Sequence, residues 1–512
     1  MTKKITKIEK IEIMDTTLRD GEQTSGVSFS DTEKLTVARL LLEEVKVERI
    51  EIASARVSEG EMKAAKKVLD WGKKNKYLDR IEILGFTDGN KSIDWIHEAG
   101  GKVVNLLTKG SLKHIQYQLR KEPAEHLADI KKVIKYATDK GIRVNLYLED
   151  WSNGMRQSPD YVYFLVDNLL KEPIVRFMLP DTLGILNPDE TYRFCKLMVD
   201  KYPMLHFDFH AHNDYDLATG NVLAAVNAGV RGVHTTVNGL GERAGNVPLS
   251  SVIAVLNDHS GHKLDVNEKK IIVVSRMVES LTGIRIPKNK PVIGESVFTQ
   301  TCGVHADGDS KNNLYYNNLL PERFGRSRDY ALGKTSGKAN IERNLKELGI
   351  TLDNDSMKKV TQRVIELGDK KTYVTKEDLP FIISDVLGSK KIDQKIKLVH
   401  YSLTSASGLR PVAALSVEIN KEIHEASASG DGQYDAFMKA LRKIYEKLKK
   451  KHPVLLDYTV SIPPGGKTEA LVETVITWIF EGKEIRTTGL DSDQTVAAIK
   501  ATIKMLNIIE NA

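Results

Sequence analysis

Through the first half of the chain, short β-branched and aliphatic runs alternate with longer stretches whose apolar residues recur every three or four positions. The short runs fall at Ile11–Met14, Arg49–Ile52, Ile81–Gly85, Val103–Leu107, Arg143–Leu148, Val175–Leu179, His206–His210 and Gly232–Val237. They have the length and composition of strands. Between them lie amphipathic stretches such as Thr32–Glu44, Glu61–Asn75, Pro123–Lys140 and Ser158–Leu170, which predict helices. Strict strand–helix alternation of this kind predicts an α/β protein whose first domain is a (β/α)8 TIM barrel. A doubly wound open sheet is the rival. Against it, no Gly-x-Gly-x-x-Gly follows the first strand, and polar residues crowd the C-terminal ends of many strands.

The rhythm changes after about Lys288. Pro287, Pro291 and the Gly-rich Thr299–Gly308 stretch read as an irregular linker, and helical patterns resume at Lys338–Leu348, Ser356–Leu367 and Glu377–Val386. From about Ile396 the chain carries a weak internal repeat. Strand patterns at Ala413–Ile419 and Glu422–Ile423 lead through Gly430–Gln433 into a helix at Tyr434–Lys450. Those at Val472–Phe480 and Glu484–Ile485 lead through Asp491–Gln494 into a helix at Thr495–Asn507. The expected division is a barrel over 1–288, a small helical linker region over 289–395, and an α+β module with a pseudo-twofold repeat over 396–512. Such a repeat shapes a symmetric ligand cleft, or it is duplication for stability alone.

Composition narrows the class. Hydrophobic residues make up 41% and charged residues 28%, ordinary for a soluble globular protein. The net charge of +6 is small for 512 residues, and lysines interleave with glutamates, as over Glu59–Lys67, so solvated helix faces explain them better than a nucleic-acid groove. Two distant cysteines, Cys195 and Cys302, argue against a disulfide framework or thiolate zinc site and for a reducing, cytoplasmic setting. No apolar run approaches the roughly 20 residues that cross a bilayer.

Three strand ends concentrate polar residues: Asp15–Gln23, His210–Asp214 and Asn238–Asn246. His210 and His212 are two apart on a strand, so both imidazoles face one side and can reach one ion. Strands one, seven and eight of a closed barrel are neighbours, and barrel active sites sit at the C-terminal strand ends. Asp20, His210, His212 and Asn246 can therefore converge on a divalent metal, with Zn, Mn, Co and Mg all compatible. Arg19 is placed to hold the oxygen of a polarised carbonyl, or else forms a rim ion pair. Glu149, ending strand five, is a candidate base or an orienter of one. Thr182, after strand six, offers a hydroxyl to a carboxylate or caps a helix.

The segments Thr16–Gln23, His210–Asp214 and Asn238–Asn246 resemble the signatures of the isopropylmalate, homocitrate and citramalate synthase family, and the likeness extends through the linker and the C-terminal module. The resemblance implies metal ligation by Asp20, His210 and His212 with Asn246 close by, and acetyl-CoA as co-substrate. It implies that Arg19 polarises the keto oxygen of a 2-oxo acid and that Thr182 holds its carboxylate. Glu149 would take a methyl proton from acetyl-CoA, with a relay through His305 possible; the enolate would attack the keto carbon, and the CoA thioester would be hydrolysed. The linker residues His305, Asp307, Asn313, Leu314 and Tyr315 resemble the acetyl-CoA-binding and catalytic segment, which in relatives reaches the partner subunit's active site, so a homodimer is implied.

Leu84, Leu107 and Tyr147, at the ends of strands three, four and five, are bulky enough to leave room for a methyl rather than an isopropyl group. They resemble the citramalate-forming branch, with pyruvate as the oxo acid, unless their size merely fills the barrel core. The C-terminal module resembles the family's regulatory domain, with Tyr434, Asp435, Leu455, Tyr458, Ile462, Val472 and Gln494 as effector-contacting positions. Isoleucine, end product of a threonine-independent route starting at citramalate, is the implied effector, although Ser492 stands where relatives can carry proline. The competing readings are a 2-isopropylmalate synthase using 2-oxoisovalerate and inhibited by leucine, a metal-dependent carbon–carbon lyase, and a non-catalytic amino-acid sensor.

Overall fold

Eight parallel strands close into a barrel in sequence order, with β1 paired to both β2 and β8. They are β1 (Glu12–Asp15), β2 (Arg49–Ser54), β3 (Ile81–Phe86), β4 (Val103–Lys109), β5 (Arg143–Glu149), β6 (Ile174–Asp181), β7 (Phe207–Ala211) and β8 (Gly232–Thr235). The computed structural model describes residues 10–262, 264–312, 314–369, 374–387, 395–461 and 472–511, so Asn313 and Ile462 lie outside the described residues. The chain forms two units, one of Met1–Phe298 with Asn317–Ser327, the other of Thr299–Tyr316 with Arg328–Ala512.

Each expected strand is present with no end moved by more than two residues. β8 stops at Thr235, short of Val237, because Val237–Gly239 turns as a 3-10 helix through Asn238 in the left-handed region, φ 61°. The predicted helix Thr32–Glu44 begins at Asp31 behind a capping box of Ser30 and Glu33 and loosens into a π turn over Leu40–Val45. A further helix, Trp151–Gln157, follows β5 where the sequence reading had none.

The strands are two-faced. Alternate residues such as Ile13, Ile50, Ile83, Val104, Leu146, Phe177, Phe209 and Val233 belong to the large apolar core shared with the surrounding helices. The other residues of the same strands fill the barrel with polar groups: Arg49 and Glu51, Glu82, Asn105, Asn145, Asp208 and His234 are all buried. Arg49 spans the interior, donating to Glu82 at 3.1 Å, Asp208 at 2.6 Å and Glu12 at 3.1 Å. Above these groups a smaller apolar layer of Met14, Leu84, Tyr147 and Met178 packs with Phe86 and Leu107.

The second unit contains a short parallel pair, β9 (Thr299–Gln300) with β10 (Asp329–Tyr330), and helices Gly303–Ser310, Lys338–Glu347, Asn354–Asp369 and Leu379–Leu387. Ile341, Leu345, Val360, Val364 and Leu379 are among the residues of a separate small core there. Two halves of like order follow. The strands β11 (Ile396–Thr404), β12 (Val412–Ile419) and β13 (Glu422–Ser429) precede helix Gln433–Lys447. The strands β14 (Val454–Ser461), β15 (Val472–Phe480) and β16 (Lys483–Asp491) precede helix Gln494–Asn511. Each sheet is antiparallel, and both contribute to one core around Phe437, Ile444, Ile476 and Trp478. Asn507 closes the module by exchanging hydrogen bonds with the backbone of Ile396 at 3.0 and 2.7 Å.

Gly232 shows how tightly the polar interior is packed: a Cβ there would overlap the Asp208 carboxylate. Gly232→Ala is expected to cost about 1–3 kcal/mol, the usual range for overpacking, measurable as a lowered urea midpoint. An unchanged midpoint would mean that Asp208 has room to move.

Candidate functional site

The loop leaving β1 is fixed to β8 by backbone and side-chain bonds. Thr16 N–H donates to Thr235 O at 2.8 Å, Val237 N–H donates to Thr17 Oγ1 at 2.8 Å, and Asp20 N–H returns to Thr16 O at 2.8 Å. This brings Asp20 over the end of β7, where His210 and His212 project to one side. Asp20 Oδ2 lies 3.1 Å from His210 Nε2, which lies 3.4 Å from His212 Nε2. One ligand atom from each of the three falls within 4.8 Å of the others, and all three residues are buried. Asn246 joins His212 through an isolated bridge and donates its Nδ2 to Leu240 O at 3.1 Å.

These groups fit a divalent cation. Atoms each about 2.1 Å from one ion stand roughly 3.0–3.4 Å apart, the spacing seen here. Asn246 Oδ1 is buried and has no hydrogen-bond partner among the described residues, which leaves it open to a ligand. Burial pushes the His212 imidazole down to about 4, so it is neutral, as a ligand must be. Burial alone would raise the Asp20 carboxyl, but Arg19, His210 and His212 outweigh it and hold it well below the usual carboxylate range. Two nitrogens and hard oxygens suit Zn, Mn, Co or Mg.

Arg19 is not a rim residue. Its Nε donates to Glu51 at 2.6 Å, its Nη1 lies 3.3 Å from Asp20, and its guanidinium sits 6.0 Å from the Tyr147 ring centre. Glu51 in turn accepts from Asn105 at 2.7 Å, and Asn105 accepts from Asn145 at 2.8 Å. This chain pins the guanidinium beside the candidate metal ligands. Tyr147 packs edge-on against His210, with ring centres 5.9 Å apart, and donates or accepts at His234 Nδ1, 3.0 Å away. Leu84 and Leu107 join it in the same apolar layer, together with Met14, Phe86 and Met178.

Glu149 is half-buried and ion-paired with Lys109 at the end of β4. Thr182 caps no helix, since Asn187 caps the one that follows. Its Oγ1 accepts from Asp150 N–H at 2.9 Å, which leaves the hydroxyl proton available to an incoming carboxylate. In the second unit His305 is exposed with its ring 4.3 Å from that of Tyr315, Leu314 is exposed, and Asp307 pairs with Lys311 at 2.6 Å.

Of the expected effector positions, three meet. Tyr434 lies 5.4 Å ring to ring from Tyr458 and shares a 2.7 Å hydrogen bond with Thr502, while Gln494 hydrogen-bonds Tyr458. Asp435 instead closes the turn at the start of its helix, accepting from Asp431 N–H at 2.9 Å and pairing with Lys439. Leu455 is exposed beside a bulge in β14, and Val472 is buried in β15.

Reading the sequence for strand ends missed Glu51, Asn105, Lys109, Asp208 and His234. The signal was available: each lies in a predicted strand or within two residues of its end, and Asn105 and Asp208 stand two residues before Leu107 and His210. A polar residue on that parity must face the barrel interior.

Profiles of known families match most of the chain. HMGL-like covers residues 10–278, the homocitrate synthase post-HMGL domain-like family 292–372, and the LeuA allosteric (dimerisation) domain 373–510. Two proteins of Methanocaldococcus jannaschii align end to end. Its 2-isopropylmalate synthase is 34% identical over 98% of this chain and 95% of its own length. Its (R)-citramalate synthase is 33% identical over 98% of this chain and 100% of its own. No helix among the described residues is long and apolar enough to cross a membrane.

The geometry separates two roles by substitution. His212→Ala is expected to weaken manganese binding by at least about 100-fold in calorimetric titration, whereas Glu51→Gln should leave it within a few-fold. Equal metal loss in both variants would show that Glu51 supports the whole site rather than Arg19.

Proposed function

Because the chain belongs to the isopropylmalate, homocitrate and citramalate synthase family, we propose that it condenses acetyl-CoA with pyruvate and water to give (R)-citramalate and CoA. The reaction class is the condensation of acetyl-CoA with a 2-oxo acid. The choice of pyruvate rests on one observation: Tyr147, Leu84 and Leu107 pack with Phe86 into a single apolar wall beside Arg19 and the candidate metal ligands.

A divalent ion held by Asp20, His210 and His212, with Asn246 near, would supply Lewis-acid polarisation of the keto group. Arg19 is charged and braced by Glu51, so it can donate to the keto oxygen as negative charge gathers there. Thr182 donates its free hydroxyl proton to the substrate carboxylate. Glu149 takes a proton from the acetyl methyl group, and Lys109 beside it balances charge while the base is ionised. The carbanion so formed attacks the keto carbon, and water then cleaves the thioester to release CoA. His305 and Tyr315, whose rings lie in tilted contact, together with Asp307, Asn313 and Leu314, form the acetyl-CoA segment in this reading, acting at the active site of a partner subunit in a homodimer. The last module binds isoleucine around Tyr434, Tyr458 and Gln494 and lowers activity. These assignments place the enzyme in the cytoplasm, at the head of a route to isoleucine.

A 2-isopropylmalate synthase is the second reading, favoured by the equal likeness to both Methanocaldococcus jannaschii proteins. Thiol release from acetyl-CoA, followed with manganese and either pyruvate or 2-oxoisovalerate, tests the choice. Two extra carbons against a closed wall cost a few kcal/mol, so pyruvate should be preferred on the order of 100-fold in kcat/KM. Added isoleucine, and not leucine, should inhibit. Preference for 2-oxoisovalerate with leucine inhibition would replace this reading by the second.

A further inference from the structure

The barrel holds a third histidine that the proposed chemistry does not use. His234 on β8 stands opposite His210 of β7 in the strand register, and its side chain is fully buried. Three groups surround it. Its Nε2 is 3.0 Å from Asp208 Oδ2, its Nδ1 is 3.0 Å from the Tyr147 hydroxyl, and the same Nδ1 is 3.3 Å from His210 Nδ1. The three rings meet nearly edge to face, with centres 5.4–5.9 Å apart.

Resting on the metal and pyruvate reading above, we infer that His234 is a positioning residue that ties the wall of the oxo-acid pocket to the metal centre, the single lone pair of its Nδ1 being shared by Tyr147 and His210 in a three-centre hydrogen bond. The proton positions follow from the partners. Asp208 is ionised beside Arg49, which donates to it at 2.6 Å, so Asp208 can only accept and the His234 proton sits on Nε2. Nδ1 then carries a lone pair. His210 turns its Nε2 to Asp20 and His212, where a ligand needs its own lone pair, so the His210 proton sits on Nδ1 and points at His234. The buried Tyr147 hydroxyl donates to the same lone pair.

Two consequences follow from one acceptor. It fixes the His210 tautomer and ring, as partners behind metal-bound imidazoles do. It also fixes the Tyr147 ring, and hence the depth of the pocket. Asp208 and Arg49 hold His234 from below, so the polar interior of the barrel sets the geometry of the mouth.

Cobalt(II) titration of the full-length protein, read by visible absorption, tests this apart from turnover. His234→Leu removes the acceptor at similar volume, and His234→Gln keeps one through Oε1. His234→Leu should bind cobalt about 10–100-fold more weakly with altered absorption bands, and should lower the kcat/KM ratio of pyruvate to 2-oxobutyrate. His234→Gln should recover most of the cobalt affinity. Tyr147→Phe keeps the ring but not its anchor, so it should lower the same ratio while cobalt affinity stays within a few-fold of the wild type. It serves also if His234→Leu does not fold. A folded His234→Leu that matches the wild type in cobalt affinity, spectrum and ratio overturns the inference, as does a Tyr147→Phe with an unchanged ratio. Wild-type protein that binds no cobalt would instead remove the metal reading on which the inference stands.

Discussion

Charge buried inside the barrel is the constraint on which the rest depends. Ionised groups are costly in a dry interior unless each is paired and hydrogen-bonded. Here Arg49 reaches Glu12, Glu82 and Asp208, and Arg19 reaches Glu51 and Asp20. Carboxylates outnumber guanidiniums along this column. At the mouth, Arg19 is shared between two carboxylates, Glu51 and Asp20, and the imidazoles of His210 and His212 lie beside Asp20. A divalent ion there would offset the Asp20 charge and give the buried Asn246 Oδ1 a partner. Stability of the barrel and readiness of the site are thus the same electrostatic problem, solved along one axis.

The apolar layer of Met14, Leu84, Tyr147 and Met178 has its place in that scheme. It packs between the Arg49 ion-pair network and the candidate metal ligands. Its largest member, Tyr147, carries a hydroxyl that finds an acceptor only within the polar network. Bulk at the pocket wall and hydrogen bonding beneath it are therefore one feature. A smaller residue at this position would open the pocket and also leave His234 with one partner fewer.

The barrel was legible from the sequence because the outward-facing positions in the body of the strands are apolar, as at Ile50, Ile83, Leu146 and Phe209. The convergence of Asp20, His210 and His212 was legible because strand order alone makes β1, β7 and β8 neighbours. The supports behind them were not. Glu51, Asn105 and His234 acquire meaning only through partners 24 to 87 residues away, and no local pattern records such pairings. Thr182 shows the same limit: only the structure reveals that Asn187 caps the helix that follows and that Thr182 Oγ1 accepts from the backbone of Asp150. Helix boundaries such as the π turn after Arg39 escaped because tertiary packing, not propensity, sets how a helix ends.

The most direct measurement is a crystal structure of the full chain soaked with manganese and pyruvate, with the ion located by its anomalous scattering. A single strong peak bound by Asp20, His210 and His212, with the pyruvate carboxylate at Thr182 and its methyl group against Tyr147, is the expected result. A peak elsewhere in the barrel, or pyruvate bound with its methyl group turned away from Tyr147, would contradict the assignment of both the metal centre and the specificity wall.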